Sequence, residues 1–243
     1  MGGHSHWKNI KYQKQASDTK KSGAFSKIVR QISIAAKEGD GDPTVNPRLR
    51  LAIEMAKKMN MPSENIERAI KKGTGELEGV NFQEILCEAY GPRGTALLIE
   101  GITDNKNRAL SEIKRTLSEN GGKLVETGAV KWLFERKGVI SLRTKDLSEY
   151  TNKENLELKV IEAGAEDIKW EEDAVEIYTK MEDLEGVKKN LEMQGIQVES
   201  TVLEWFAKEK IRINEKDKET AQKLFDLLEG LDSVQEIYSN LKI

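Results

Sequence analysis

Near its start the chain carries Trp7 among Lys8, Lys11, Tyr12 and Lys14, a group that could meet a polyanion. Lysine cations displace the counterions of phosphates, and an indole can stack on an unpaired base. The competing arrangement packs Trp7 back onto a helical core and leaves the lysines solvated. Lys20, Lys21, Lys27 and Arg30 continue the basic run, and Arg48 and Arg50 extend it. Lys106 and Arg108 stand at the start of an expected helix, where the helix dipole favours anions over cations, so an anionic partner would explain them. Together these are the candidate nucleic-acid-binding residues.

Other chemistry is thin. The two histidines, His4 and His6, both lie in the leader, so the body of the chain can hold no histidine-based triad. Cys87 is the single cysteine, which excludes an internal disulfide and any multi-cysteine zinc or iron–sulfur site within one chain. Cys87 falls in an expected strand and reads as a small buried hydrophobe. Gly73-Thr74-Gly75-Glu76 is too short and too acidic for a phosphate loop, and no carboxylate pair has a context for acid–base work. With Met1 removed, Gly2-Gly3-His4 could chelate Cu(II) or Ni(II), but an exposed terminus with this order by chance is the plainer account. The expectation is a protein that is not an enzyme, with no cofactor, no metal and no small-molecule substrate. No apolar run approaches the roughly 20 residues that span a bilayer, and the N-terminus has no signal-peptide core. Gly2 is not followed by the Ser or Thr that myristoylation wants where His6 stands. A cytoplasmic protein without a membrane partner is expected.

The net charge of −3 conceals a strong asymmetry. Residues 1–75 hold 15 basic against 7 acidic side chains, net +8, and the remainder of the chain is net −11. A basic head on an acidic body is the pattern of a polyanion-binding module attached to something else, unless head and body simply attract each other.

These residues must be held by regular elements, and the hydrophobic periodicity says which. Phe25, Ile28, Val29, Ile32, Ala35 and Ala36 form one helix face, ended by Gly39, Gly41 and Pro43. Asn46-Pro47 reads as a cap followed by Pro in the first helical position, ahead of Leu49, Ala52, Ile53 and Ala56. Pro62 opens a third helix that Gly73 closes, and residues 73–79 read as a hinge. Strands are expected at 84–90 and 95–102, a helix at 105–120 capped by Asp104, and a strand at 130–134. From Gly138 the order becomes β-α-β-β-α-β, a ferredoxin-like arrangement, with strands at 139–142, 168–170, 174–179 and 198–203 and helices at 152–163 and 184–193. The tail offers a strand at 211–213, a helix at 217–231 and a strand at 234–238, too little for its own core. The fold class is therefore α+β and multidomain: a small helical bundle, then two α/β sandwich-like domains, one ferredoxin-like and inserted in the other. The domains expected are 1–75, 76–136 plus 207–243, and 137–206.

The chain carries Gly3-His4-Ser5-His6-Trp7-Lys8-Asn9-Ile10-Lys11, Gly41-Asp42-Pro43, Asn46-Pro47-Arg48-Leu49-Arg50, Met61-Pro62-Ser63-Glu64-Asn65-Ile66-Glu67-Arg68-Ala69-Ile70, Gly73-Thr74-Gly75-Glu76, Glu88-Ala89-Tyr90-Gly91-Pro92 and Thr103-Asp104-Asn105-Lys106-Asn107-Arg108. In these motifs it resembles the YebC family of probable transcriptional regulatory proteins, whose mitochondrial relatives are translational activators of cytochrome c oxidase. His6 stands where the family usually has lysine, and Tyr12-Gln13 replaces a more basic His-Arg pair, so this leader is less positive than its relatives'. The resemblance implies three domains around an open cleft, no known catalysis and a cytoplasmic regulator of gene expression. It implies DNA-binding control of transcription for some members and, for others, a ribosome-associated factor that helps translate stretches such as proline runs. No helix concentrates the basic residues as a helix-turn-helix would, and the inserted unit lacks the aromatic strands of an RNA-recognition motif. An acidic body would repel a long duplex lying across it but could face basic ribosomal proteins. The favoured expectation is a ribosome-associated translation factor with ribosomal RNA and ribosomal proteins as partners. A DNA-binding transcriptional regulator is the alternative.

Overall fold

The computed structural model describes residues 18–144, 153–171 and 174–242, with side chains from residue 23 onward. Contacts divide these into two compact units: residues up to Leu133 together with those from Ala207 onward, and Phe134–Phe206 between them.

The first unit opens with three helices, α1 (Asp18–Glu38), α2 (Pro47–Lys58) and α3 (Ser63–Thr74). Ile28, Ile32, Ala35 and Ala36 of α1 meet Leu49, Ala52, Ile53 and Ala56 of α2 and Ile66 and Ala69 of α3. The expected cap is present: Asn46 Oδ1 accepts from the Leu49 N–H at 3.0 Å, ahead of Pro47 in the first turn. Its Nδ2 donates to the carbonyls of Ala35 and Asp40, so one buried amide ties the end of α1 to the start of α2. Gly73 does not close α3, which runs on to Thr74. Gly73 is there because α1 is too close for a side chain: a methyl group on it would stand 2.4 Å from the Ser33 carbonyl oxygen. The Ser33 hydroxyl donates to the Ala69 carbonyl at 2.9 Å across the same crossing. The helix ends instead at Gly75, whose φ of 83° is the left-handed value glycine adopts without strain.

The α/β part of this unit contains β1 (Gln83–Tyr90), β2 (Ala96–Thr103), α4 (Lys106–Glu119) and β3 (Lys123–Val125). After residue 206 it gains α7 (Glu215–Glu229) and β8 (Val234–Ser239). The sheet order is β3-β1-β2-β8, and β2 and β8 are antiparallel. Ile85, Cys87, Ala89, Leu97 and Ile99 alternate onto one face, where Ala109, Ile113 and Leu117 of α4 and Ala221, Leu224, Phe225 and Leu228 of α7 cover them. Four details differ from the sequence expectation. Asn105, not Asp104, caps α4, accepting from the Arg108 N–H at 3.0 Å. Residues 123–125 form a short strand that periodicity did not show. The strand expected at 130–134 is a short 3-10 turn, Lys131–Leu133, leading into the next strand. Residues 211–213 contribute only an isolated bridge from Ile211 to Leu241.

The second unit is β4 (Phe134–Arg143), α5 (Lys153–Glu162), β5 (Asp167–Trp170), β6 (Ala174–Lys180), α6 (Leu184–Met193) and β7 (Ser200–Ala207, its last residue counted with the first unit). The sheet order β5-β6-β4-β7, with β6 antiparallel to both β4 and β5, is the ferredoxin-like arrangement. Ile140, Leu142, Val175 and Ile177 pack beneath Leu156 and Val160 of α5 and Val187 and Leu191 of α6.

We propose that residues 76–136 and 207–243 fold as one discontinuous domain, because α4 and α7 cover a single sheet face. A polypeptide joining these segments by a short linker is expected to unfold in one cooperative denaturant transition. An identical transition from residues 76–136 alone would show the tail to be dispensable.

Candidate nucleic-acid interface

The candidate contacts scatter once placed in the fold. Trp7, Lys8, Lys11 and Lys14 lie outside the described residues, and Lys20 and Lys21 fall in the first turns of α1. Lys27 and Arg30 have an occupation within the first unit. The Lys27 ammonium donates to the Glu229 carbonyl at 2.7 Å, at the C-terminal end of α7, where a cation complements the helix dipole. Burial pushes the Lys27 pKa down, while Glu236, Glu229 and Asp232 push it back up. Burial likewise raises the Glu229 carboxyl, with Lys27 opposing. Arg30 donates to the carbonyls of Asp232 at 2.7 Å and Ile102 at 3.1 Å, and its guanidinium lies 5.7 Å from the Phe82 ring centre. Gln31 and Lys37 follow on the same side of α1, bonding Gln235 and then Asn81 and Phe82. Lys27 and Arg30 thereby fasten the helical bundle to the α/β part.

The remaining basic positions differ in availability. Arg48 is paired with Glu38 and Glu84, and Arg108 with Asp104 one helical turn away. Arg50 is exposed and reaches the Thr44 carbonyl only weakly, at 3.4 Å. Lys106 is exposed at the first position of α4, close enough to Cys87 to influence it. Burial pushes the Cys87 thiol up to about 11, so it stays protonated and unreactive at neutral pH. Lys57 and Lys58 end α2 and Lys71 and Lys72 end α3, positions that helix dipoles alone favour.

A feature absent from the sequence reading lies beside β1. Glu88 is only 3% exposed, and its carboxylate accepts from the backbone N–H groups of Gly128, Val130 and Lys131 at 2.6, 2.7 and 2.8 Å. Burial works against its charge, but these three donors, with the nearby Lys131 cation, hold the pKa below the ordinary 4.5. The loop so gathered buries Val130 completely and leaves Trp132 65% exposed. Sequence reasoning missed it by reading 130–134 as a strand. Glu88 stands on the face of β1 opposite Ile85, Cys87 and Ala89, where alternation reads a glutamate as solvated, so the sequence carried no signal of its burial.

Comparison with known proteins agrees with this architecture. The family model described as the TACO1/YebC protein N-terminal domain matches residues 5–76, and that for the TACO1/YebC second and third domain matches residues 82–241. The chain belongs to the YebC family. A probable transcriptional regulatory protein of Pseudothermotoga lettingae is 49% identical over 243 residues, covering 100% of this chain and 94% of that protein. A protein of the same name from Thermotoga maritima is 48% identical over 246 residues, with the same coverage. The crystal structure of a conserved hypothetical protein of Aquifex aeolicus superposes with a TM-score of 0.85 at 44% identity, covering 98% of this chain and 97% of the other. Among the described residues no helix is long and apolar enough to cross a membrane, and no group of three or more His, Cys, Asp or Glu side chains could hold a metal.

In this YebC-family chain, then, Glu88 of the Glu88-Ala89-Tyr90-Gly91-Pro92 motif has a physical task, which is to hold residues 128–131. Glu88→Gln would set an amide NH2 against backbone donors and is expected to cost about 1.5–3 kcal/mol. Because the folded pKa is depressed, the ionised Glu88 stabilises fully above the ordinary 4.5, and that contribution fades as pH falls through the lower folded value. Urea denaturation from about pH 7 to about pH 3 should show the wild type losing its advantage over the variant. Parallel stability curves would contradict this.

Proposed function

We propose that the protein is a non-enzymatic, cytoplasmic nucleic-acid-binding regulator of gene expression that works on the ribosome, its basic leader and bundle meeting RNA. The observation that carries this reading is the charge asymmetry, net +8 over residues 1–75 against net −11 beyond. The contact residues of the proposal are Trp7, Lys8, Lys11, Lys14, Lys20, Lys21, Arg50 and Lys106. Arg48 and Arg108 join them where a phosphate displaces their carboxylate partners. Phosphate contacts of this kind position a protein without reading sequence, which suits a factor acting on one fixed assembly rather than on many promoters. The acidic remainder repels a long duplex and favours a basic protein surface.

If about six phosphates are neutralised, the log–log salt slope of binding should be about −5 on duplex DNA and about −4 on single strands. Replacing Lys8, Lys11 and Lys14 together with Ala should flatten the duplex slope by about 2 to 3 units. An unchanged slope would remove the leader from the interface.

The second reading, a DNA-binding transcriptional regulator, is favoured by the name its relatives carry, probable transcriptional regulatory protein. Crosslinking in cells, with DNA and RNA sequenced from the same pull-down, separates the two. Crosslinks concentrated on one ribosomal RNA region are expected. Enrichment of a few promoter fragments without ribosomal RNA would overturn the ribosomal reading.

A further inference from the structure

We propose that the basic stripe of α1 is a latch: nucleic-acid phosphates draw Lys27, Arg30 and Lys37 off the α/β part, and the helical bundle undocks to bind. The proposal rests on the nucleic-acid reading above and adds how that binding is regulated. In the docked form the contact between stripe and α/β part is autoinhibitory.

Lys27, Arg30, Gln31, Ile34 and Lys37 follow at three- and four-residue spacing, which places them on one stripe of α1. The groups that accept from its three cations are backbone carbonyls and one side-chain amide. Lys27 donates to the Glu229 carbonyl, and Arg30 to the carbonyls of Asp232 and Ile102. Lys37 donates to Asn81 Oδ1 at 2.6 Å and to the Phe82 carbonyl at 3.0 Å. The Asp232 carboxylate lies 3.8 Å from Arg30 and is itself 67% exposed. A phosphate oxygen is charged, and its bonds to ammonium and guanidinium groups are stronger than those of a neutral carbonyl. A strand of phosphates can therefore replace these partners.

The seam is also built to part. Ile28, Ile32, Ala35 and Ala36 of α1 belong to the bundle's own core, so the bundle keeps that core when it undocks. Ala24 and Ile34 are buried but belong to neither apolar cluster of this unit. Gln31 donates to Gln235 Oε1 at 3.1 Å, yet Gln235 Nε2, shielded from water, finds no acceptor among the described residues. Two positions earlier the Ser233 hydroxyl, in a residue only 4% exposed, is likewise without a partner. Buried polar groups left unpaired favour a state in which water reaches them. Only the undocked form offers all three cations to phosphates, so a polyanion shifts the population toward it.

The test uses the full chain. Nitroxides are placed on the bundle and on α7 through Val45→Cys and Thr220→Cys, both exposed positions, since the buried, protonated Cys87 thiol stays unlabelled. Pulsed electron resonance should give one distance in the free protein and a longer one with saturating oligouridylate or duplex DNA. Two neutral pairs of substitutions then move the latch in opposite directions, read by fluorescence anisotropy. Asn81→Ala with Phe82→Ala removes an acceptor of Lys37 and the ring beside Arg30, and should tighten binding about three-fold or more. Gln31→Met with Gln235→Met replaces the imperfect amide pair by apolar chains, and should weaken binding about five-fold. Neither pair should change the salt slope, because the bound form is the same. An unchanged distance in the bound protein, or affinity shifts of both pairs in the same direction, overturns the latch and leaves the nucleic-acid reading standing. Wild type that binds neither probe overturns both.

Discussion

Helix α1 has to bury two faces at once, and the first unit is organised by that requirement. One face, Ile28, Ile32, Ala35 and Ala36, completes the helical bundle. The other carries Lys27, Arg30, Gln31 and Lys37, whose donors reach the end of α7, the turn before β8, the end of β2 and the approach to β1. Elements distant in sequence therefore converge on one helix through these polar groups, and Ile34, one turn on from Arg30, is buried as well. The cost is partial desolvation of cations, visible in the lowered Lys27 pKa. The compensation is that carbonyls at a helix terminus and a strand end, which would otherwise want water, find charged donors.

This arrangement shows that basic residues close together in sequence have different occupations in the fold. The leader and bundle look uniformly basic in sequence, yet Lys27 and Arg30 are structural, Arg48 is matched by two glutamates, and four lysines sit where helix dipoles place them. A linear charge run says nothing about direction. In α1, residues 27 and 30 lie one turn apart on the face turned toward the α/β part, and only the packing partner of that face decides their fate.

The elements themselves were legible wherever local chemistry dictates them. Asn46-Pro47 capped its helix as read, and the alternation of Ile85, Cys87 and Ala89 marked a strand with one face in the core. The β-α-β-β-α-β order emerged because each segment is long enough for its period to show. The misreadings share a cause. Gly73 resembles a helix terminator unless one knows that Ser33 passes within contact distance. Residues 130–134 resemble a strand unless one knows that Glu88, some forty positions earlier, has claimed their amides. The exposure of Trp132 was hidden for the same reason, since an aromatic within an apolar run reads as core.

The antiparallel pairing of β8 with β2 sets an order of events during synthesis. The Ala96 N–H donates to Asn240 Oδ1 at 2.9 Å, and the two residues are 144 positions apart. β2 leaves the ribosome early but keeps an unpaired edge until translation has passed residue 240. Meanwhile the ferredoxin-like unit, whose pairings are all internal to 134–207, can form and shorten the span that must be closed. A nascent chain of this protein thus exposes a sheet edge for most of its time on the ribosome, the interval in which unpaired edges invite misassociation. The helix α7 and the last strand arrive together, so the edge and the part of the apolar face that α4 leaves open are protected in a single late step.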